Sequence, residues 1–326
     1  MGLFVNNLFL SNEIIILLFS QILIYFLLFI SFFISIKILR NWDYKKSNSI
    51  QYSLEKKSYL VILIISFALF TKIFIFFYFI YSIDSLTFLV PGAMCAAGIF
   101  SSNDYGEMAL VLKIINLFFI GFWLILNSLD LKQKDYKYTK LKFSLFIIIF
   151  ILFSFELFLD FYFLINIPTK DPVNCCSIIF GISSISSNIP FNLNIYTLIL
   201  IFYLLYFLVT ILSIQKKSFL LLISNILFVY IAYFSVTYFF STYIYELPTH
   251  QCPFCMLQIE YNFIGYFIWS SLFLGLFFSI CTYIFSKFKA VDINKFYKLS
   301  LIFNLVFVSL VSFYVVRYYI LNGVLL

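Results

Sequence analysis

Cys252 and Cys255, two cysteines separated by two residues, form the part of the sequence best suited to chemistry. The only histidine of the chain, His250, stands two positions before them. Thiols at this spacing perform disulfide exchange or bind a soft metal ion. A long apolar segment begins soon after Cys255, so we expect the amino-terminal end of a helix to favour the thiolate and lower the thiol pKa. The segment therefore predicts redox chemistry or metal binding.

Three further cysteines, Cys95, Cys175 and Cys176, lie in other loops. Adjacent α-carbons are about 3.8 Å apart, which is below the usual range for a disulfide, so a bond between Cys175 and Cys176 would be strained. Each is expected to pair elsewhere, with Cys95 or a sulfur of the Cys252 and Cys255 pair as partner. The expected catalytic set is Cys252, Cys255, Cys175, Cys176, Cys95 and His250.

The elements that position these thiols are long apolar segments. Hydrophobic residues make up 64% of the chain and charged residues 11%, and the apolar runs exceed the roughly 20 residues that cross a bilayer. We expect an all-α fold, a polytopic transmembrane helix bundle of about eight spans, with residues 1–326 forming a single integral membrane domain. The predicted spans are about 14–36, 59–83, 107–129, 143–165, 195–214, 218–241, 260–286 and 299–321.

Basic residues predict the orientation of these spans. Of the 21 basic residues, 17 lie in alternate connections, and cytoplasmic loops carry an excess of Lys and Arg. Both termini are then expected outside, as are the outer loops at about 84–106, 166–194 and 242–259, which carry five of the six cysteines. The alternate connections contain Lys37, Arg40, Lys45, Lys46, Lys56, Lys57, Lys132, Lys134, Lys137, Lys140, Lys142, Lys216, Lys217, Lys287, Lys289, Lys295 and Lys298.

This distribution also predicts location and partners. The net charge of +7 is spread over loops that meet anionic lipid headgroups, so it gives no support to nucleic-acid binding. We expect a multi-pass protein of a bacterial inner (cytoplasmic) membrane, with the lipid bilayer as its surroundings and its active face extracytoplasmic.

Four charged residues fall inside predicted spans, where charge is costly. Lys72 and Glu156 lie at similar depth, and so do Lys113 and Asp160, which predicts two ion pairs between helices. One interpretation is that these pairs hold helices together. The other is that Lys113 or Asp160 handles the proton that accompanies quinone reduction.

The cysteine-bearing loops resemble the vitamin K epoxide reductase family and, by organisation, the DsbB-type quinone-linked thiol oxidases. Residues 252–257 look like the active-site motif of that family. Residues 172–177, continuing to Ser187, Asn188, Ile189 and Pro190, look like its loop cysteine segment, and residues 94–106 echo the same pattern. The resemblance implies electron transfer from protein thiols to a quinone cofactor, with Cys252 and Cys255 next to the quinone.

The function expected from these observations is a membrane thiol-disulfide oxidoreductase. It would exchange disulfides with an extracytoplasmic thiol protein, such as a thioredoxin-like protein, and would be coupled to quinone. A membrane scaffold with purely structural disulfides is a further interpretation. The main alternative is binding or transport of a soft metal, a copper, zinc or mercury ion. Three of its four ligands would be His250, Cys252 and Cys255, from a wider set that adds Met94, Cys95, Cys175, Cys176 and Met256.

Overall fold

A computed structural model describes residues 7–42, 49–132, 138–180, 189, 193–288 and 292–326, without the side chains of Asn7, Ile50 and Ser177. All regular structure in those ranges is helical, and eight of its helices are long and apolar enough to cross a membrane. The prediction of an all-α chain with about eight such segments is therefore confirmed for this part of the protein. The eight are α1 (Asn12–Asn41), α2 (Ser49–Ser85), α3 (Asp104–Leu131), α4 (Thr139–Ile165), α5 (Ile195–Ile214), α6 (Ser218–Ser235), α7 (Ile264–Phe285) and α8 (Asn294–Asn322).

Several residues used in the sequence predictions lie outside the described ranges. They include part of the predicted outer loop at 166–194. The others are Lys45, Lys46, Lys134, Lys137 and Lys289 from the basic connections, and Ser187, Asn188 and Pro190 from the loop that resembles the reductase family.

The eight helices fall into two compact units. Unit 1 consists of Met1–Pro91 and Ile99–Val173 and contains α1 to α4. Unit 2 consists of Gly92–Gly98 and Asn174–Leu326 and contains α5 to α8. The short segment Gly92–Gly98 belongs to unit 2 by its contacts, although it lies between α2 and α3 in the chain. This assignment places all six cysteines of the chain, with Cys95 among them, in unit 2.

Aromatic rings in tilted and edge-on contact hold the helices of unit 2 together. The ring centroid of Phe202 on α5 lies 5.4 Å from that of Phe228 on α6, 5.2 Å from Phe240 and 6.1 Å from Phe307 on α8. All four side chains are fully buried. Aromatic pairs at such distances add about 0.5–1.5 kcal/mol each beyond the area that they bury. Bulky side chains therefore fix the packing of the helices that adjoin the cysteine loops.

Helix α6 does not end at Ser235 but continues through a π-helical turn, Val236–Phe240, into the helical residues Ser241–Tyr245. Turns of this kind occur often near functional sites. All five residues of Ser241–Tyr245 are buried. The last of them, Tyr245, is thereby brought to the cysteine loop that follows.

A buried polar cluster closes the connection between α3 and α4 in unit 1. Asp130 accepts hydrogen bonds from the backbone N–H of Tyr138 at 2.8 Å, from Thr139 Oγ1 at 3.1 Å and from Lys142 Nζ at 2.8 Å. Lys142 also donates to Asn127 Oδ1 at 3.1 Å. Asp130 and Lys142 are both fully buried. Both carboxylate oxygens of Asp130 therefore have donors, as a buried charge requires.

Candidate functional site

Four thiols from three separate loop segments converge in unit 2. The Sγ atoms of Cys95, Cys176, Cys252 and Cys255 all lie within 4.8 Å of one another. The shortest separations pair each motif cysteine with a cysteine from another segment: Cys95 with Cys252 at 3.7 Å, and Cys176 with Cys255 at 3.8 Å. We refer to these four residues as the thiol cluster. Its sulfurs surround a single point.

The thiol cluster is closed to solvent. Cys95, Cys176 and Cys252 are 0% exposed and Cys255 is 4% exposed. A second protein could reach these sulfurs only after a loop opens. An ion held among them would be shielded from water.

Local hydrogen bonds shape the turn between Cys252 and Cys255. The backbone N–H of Phe254 donates to Cys252 Sγ at 3.4 Å, and Trp269 Nε1 on α7 donates to the carbonyl of Pro253 at 3.0 Å. Cys255 opens a short 3-10 turn that ends at Leu257. These bonds fix both sulfurs against the start of α7.

Tyr245 bridges the two ends of the motif. Its hydroxyl donates to the carbonyl oxygen of Cys252 at 2.5 Å and accepts from the backbone N–H of Met256 at 2.9 Å. The phenol is buried at the end of a helix, so its hydroxyl makes each of these hydrogen bonds with a single group of the protein. Tyr245 therefore sets the distance between the backbone on either side of the pair.

The segment that carries Cys95 is held close to the segment that carries Cys176. Gly92 adopts a φ of +83°, a conformation that favours glycine, at the turn into this segment. A Cβ added at Gly98 would lie only 3.1 Å from the carbonyl oxygen of Asn174, so the two backbones approach closely. Gln258 Nε2 also donates to the carbonyl of Met94 at 3.2 Å, which ties the segment to the loop after Cys255.

The surroundings of the thiol cluster shift the pKa values of its thiols in different directions. Hydrogen bonds from Cys252, Cys255 and Cys95 to the sulfur of Cys176 lower the pKa of Cys176. Burial raises the pKa of Cys252 well above its usual value, and the bond to Cys176 raises that of Cys255. Among these three thiols, the surroundings favour the thiolate most at Cys176.

The helix expected after Cys255 begins later in the chain than the predicted span. The long helix α7 begins at Ile264, nine residues after Cys255, rather than at the predicted residue 260. Two residues with left-handed backbone conformation, Asn262 and Phe263, interrupt the helical path. Residue 256 nevertheless packs on the first turn of α7, since a Cβ added at Gly265 would lie 2.9 Å from the Met256 carbonyl carbon, so an effect of the helix dipole on Cys255 stays a prediction.

Two residues of the predicted catalytic set lie outside the thiol cluster. Cys175 is half-buried, and its sulfur does not join the other four. The ring of His250 stands edge-on to that of Tyr245, with centroids 4.6 Å apart. His250 Nε2 is buried and has no hydrogen-bond partner among the described residues. The described ligand set is therefore four cysteines, whereas the sequence alternative combined His250 with Cys252 and Cys255.

Unit 1 contains the four charged residues predicted inside spans, joined in one network. Lys72 Nζ and Lys113 Nζ each lie 2.7 Å from Glu156 Oε1, and Lys113 Nζ lies 2.6 Å from Asp160 Oδ2. Both pairs expected from depth are present. The sequence prediction missed the Lys113–Glu156 contact and Asn116, whose Nδ2 donates to Glu156 Oε2 at 2.5 Å. Asn116 could have been recognised because it lies one helical turn after Lys113.

Comparison of the chain with models of known protein families, with curated proteins and with solved structures gives no match.

Proposed function

We propose that unit 2 binds one soft metal ion through the thiol cluster, Cys95, Cys176, Cys252 and Cys255. The observation that carries the proposal is the convergence of all four sulfurs within 4.8 Å. Four thiolates are the ligand set of tetrahedral sites that take zinc or other soft ions. The function is metal binding at an extramembrane site of a membrane protein.

The spacing of the sulfurs fits such an ion. Zinc–sulfur bonds are about 2.3 Å long, and a regular tetrahedron with bonds of that length has edges of about 3.8 Å. The two shortest sulfur–sulfur distances, Cys95 to Cys252 and Cys176 to Cys255, are 3.7 Å and 3.8 Å. A disulfide would need about 2.0 Å. The same ligands also suit copper(I) or mercury, although their preferred coordination is less well matched by four equal donors.

The placement of the site favours retention of the ion over transport. All four ligands are in loop segments, and helices α5 to α8 contain no thiol other than Cys281 and no histidine. A transport path needs ligands at successive depths. Outer contacts such as the Tyr245 bridge hold the ligands in place, as is common around metal sites.

The cellular setting is part of the proposal. Helices of this length and apolarity suit a lipid bilayer, and the alternating basic connections support an outward-facing thiol cluster with both termini outside. We place the protein in a bacterial cytoplasmic membrane on this basis. Labelling of single added cysteines with a membrane-impermeant reagent in intact cells tests the orientation.

Metal content tests the proposed function. The full chain, purified in detergent without chelator, is analysed by elemental mass spectrometry and, after exchange, by the absorption of bound cobalt(II). We expect about one ion per chain and the intense sulfur-to-cobalt bands of a tetrahedral thiolate site. A protein that retains no metal and gives no such bands after cobalt addition would refute the proposal.

A second candidate, thiol-disulfide exchange, is favoured by one observation. Each motif cysteine faces a thiol of a different segment, Cys252 facing Cys95 and Cys255 facing Cys176. Oxidation of one pair would form a sulfur–sulfur bond and release two electrons and two protons. A quinone acceptor would take them up to become a quinol. Both the quinone and an extracytoplasmic thiol partner stay predictions.

Differential alkylation separates the two candidates. Native membranes are treated with a thiol reagent with and without chelator, and with and without quinone, and each cysteine is quantified by mass spectrometry. Thiols that become reactive only after chelation indicate the metal site. A disulfide between Cys95 and Cys252, or between Cys176 and Cys255, that changes with quinone indicates exchange chemistry.

A further inference from the structure

We propose that Asp160 is a proton-binding site in the interior of unit 1, at one end of a hydrogen-bonded chain of charged side chains. The chain runs from Asp160 Oδ2 to Lys113 Nζ at 2.6 Å, on to Glu156 Oε1 at 2.7 Å, and on to Lys72 Nζ at 2.7 Å. Three helices, α2, α3 and α4, contribute to it. The proposal is independent of the thiol cluster.

The two carboxylates of the chain are satisfied unequally. Glu156 receives Lys72 and Lys113 on one oxygen and Asn116 on the other. Asp160 receives Lys113 on Oδ2, while its Oδ1 is buried and has no hydrogen-bond partner among the described residues. A buried carboxylate oxygen without a donor is costly, and a proton bound there removes the charge.

Asp130 shows what a fixed ion pair looks like in the same two helices. It is as deeply buried as Asp160 and pairs with Lys142 at 2.8 Å. In contrast to Asp160, both of its oxygens accept hydrogen bonds, one from the backbone of Tyr138 and the other from Lys142 and Thr139. A carboxylate that is buried and paired therefore does not always keep an oxygen without a donor. Of these two aspartates, only Asp160 has such an oxygen among the described residues.

The other end of the chain borders a small cavity. Lys72, Lys113, Asn116 and Glu156 contribute its polar lining, and its size just admits one water molecule. Asn116 Oδ1 is buried and has no partner among the described residues. A water in the cavity would donate to that oxygen and accept from Lys72.

The proton balance of the chain follows from its charges. With two lysines and two carboxylates charged, the network is neutral. A proton bound at Asp160 Oδ1 converts the carboxylate to a neutral acid and raises the net charge of the network to +1. Return of that proton to the surrounding solution restores the neutral network.

The charged groups that face Asp160 lie on three helices, α2, α3 and α4. They are Lys113 on α3, Lys72 on α2 and Glu156 on its own helix α4. Helix α1 also packs on α4, but within the described residues no ion pair joins a side chain of α1 to Asp160. Lys113 is the charged group in direct contact with Asp160, at 2.6 Å.

A hydrophobic carbodiimide, which reacts with protonated carboxyl groups, tests the proposal on the full chain in detergent. Adducts at Asp160 and Asp130 are quantified by mass spectrometry from about pH 5 to about pH 9. We expect an adduct at Asp160 that falls about tenfold per pH unit once the acid is mostly ionised, and none at Asp130. Lys113→Met removes the facing cation and should extend labelling to higher pH.

Infrared difference spectra between acidic and neutral solution provide a readout that needs no reagent access. They should show the carbonyl band of a protonated carboxylic acid, and Asp160→Asn should remove that band while the bound metal is unaffected. Absence of both the adduct and the band, or equal labelling of Asp130 and Asp160 at every pH, would overturn the proposal.

Discussion

Cys95 Sγ and Cys252 Sγ lie 3.7 Å apart although 157 positions separate the two residues in the chain. The distance is too long for a covalent bond between the sulfurs and suits two ligands of one ion. Cys95 is brought there by a seven-residue segment, Gly92–Gly98, whose contacts are with unit 2. As a ligand of the proposed site, Cys95 would couple metal binding to the folding of that segment.

Replacement of one ligand should therefore abolish tight binding. We expect Cys95→Ser to weaken metal affinity by more than about 100-fold, because even loss of an outer contact costs about 10–100-fold. Cys175→Ser is the matched control, since that sulfur lies outside the thiol cluster. Competition with a chromophoric chelator measures both affinities. Equal affinities for the two variants would contradict the assignment of Cys95 as a ligand.

Tyr245→Phe should loosen the turn between Cys252 and Cys255. The variant leaves the buried N–H of Met256 without its acceptor, a loss of about 1–3 kcal/mol, and it frees the carbonyl of Cys252. We expect a lower unfolding temperature and weaker metal affinity. Tyr243→Phe is the control, because that buried phenol donates at 3.3 Å to the carbonyl of Leu326 instead. A Tyr245→Phe protein with native metal affinity would show that the bridge does not position the ligands.

The helices could be predicted from the sequence because hydropathy is a local property. The predicted fifth span, residues 195–214, coincides with α5. The second span was predicted from residue 59, whereas α2 begins at Ser49, since the helix continues past the apolar run through the exposed residues Lys56 and Lys57. The length of an apolar run predicts which part of a helix can lie in the hydrocarbon of a membrane. It does not predict where the helix ends.

The thiol cluster could be predicted only in part. The spacing of Cys252 and Cys255 is visible in the sequence, and adjacency made a bond between Cys175 and Cys176 unfavourable. Which of those two joins the cluster depends on the direction in which each side chain leaves the backbone, and tertiary packing decides this. The ion pairs of unit 1 could be inferred because the depth of a charged residue is counted along its own helix. Residues of opposite charge at equal depth could then be matched.

Gly265→Ala tests how closely the turn after Cys255 rests on α7. A Cβ at this position would lie 2.5 Å from Met256 Cγ and 2.9 Å from the Met256 carbonyl carbon, so the turn must shift. We expect a loss of about 1–3 kcal/mol in unfolding free energy together with weaker metal binding. Gly275 lies on the same helix, and a Cβ there would meet the side chain of Asn304 on α8, so Gly275→Ala should change stability without changing metal affinity. Cobalt absorption and unfolding in detergent distinguish the two effects.

The pair of Asp130 and Lys142 offers a test of how buried charge stabilises unit 1. Asp130→Asn or Lys142→Met alone leaves one charge buried without its partner, which costs about 3–5 kcal/mol. The double variant leaves no such charge, and the asparagine oxygen can still accept from the backbone of Tyr138 while its NH2 group donates to the hydroxyl of Thr139. We therefore expect the double variant to be less destabilised than the sum of the single changes by more than about 1 kcal/mol. Denaturant titration in detergent measures the cycle. Additive losses would mean that the two side chains act independently, in spite of the 2.8 Å between Lys142 Nζ and Asp130 Oδ2.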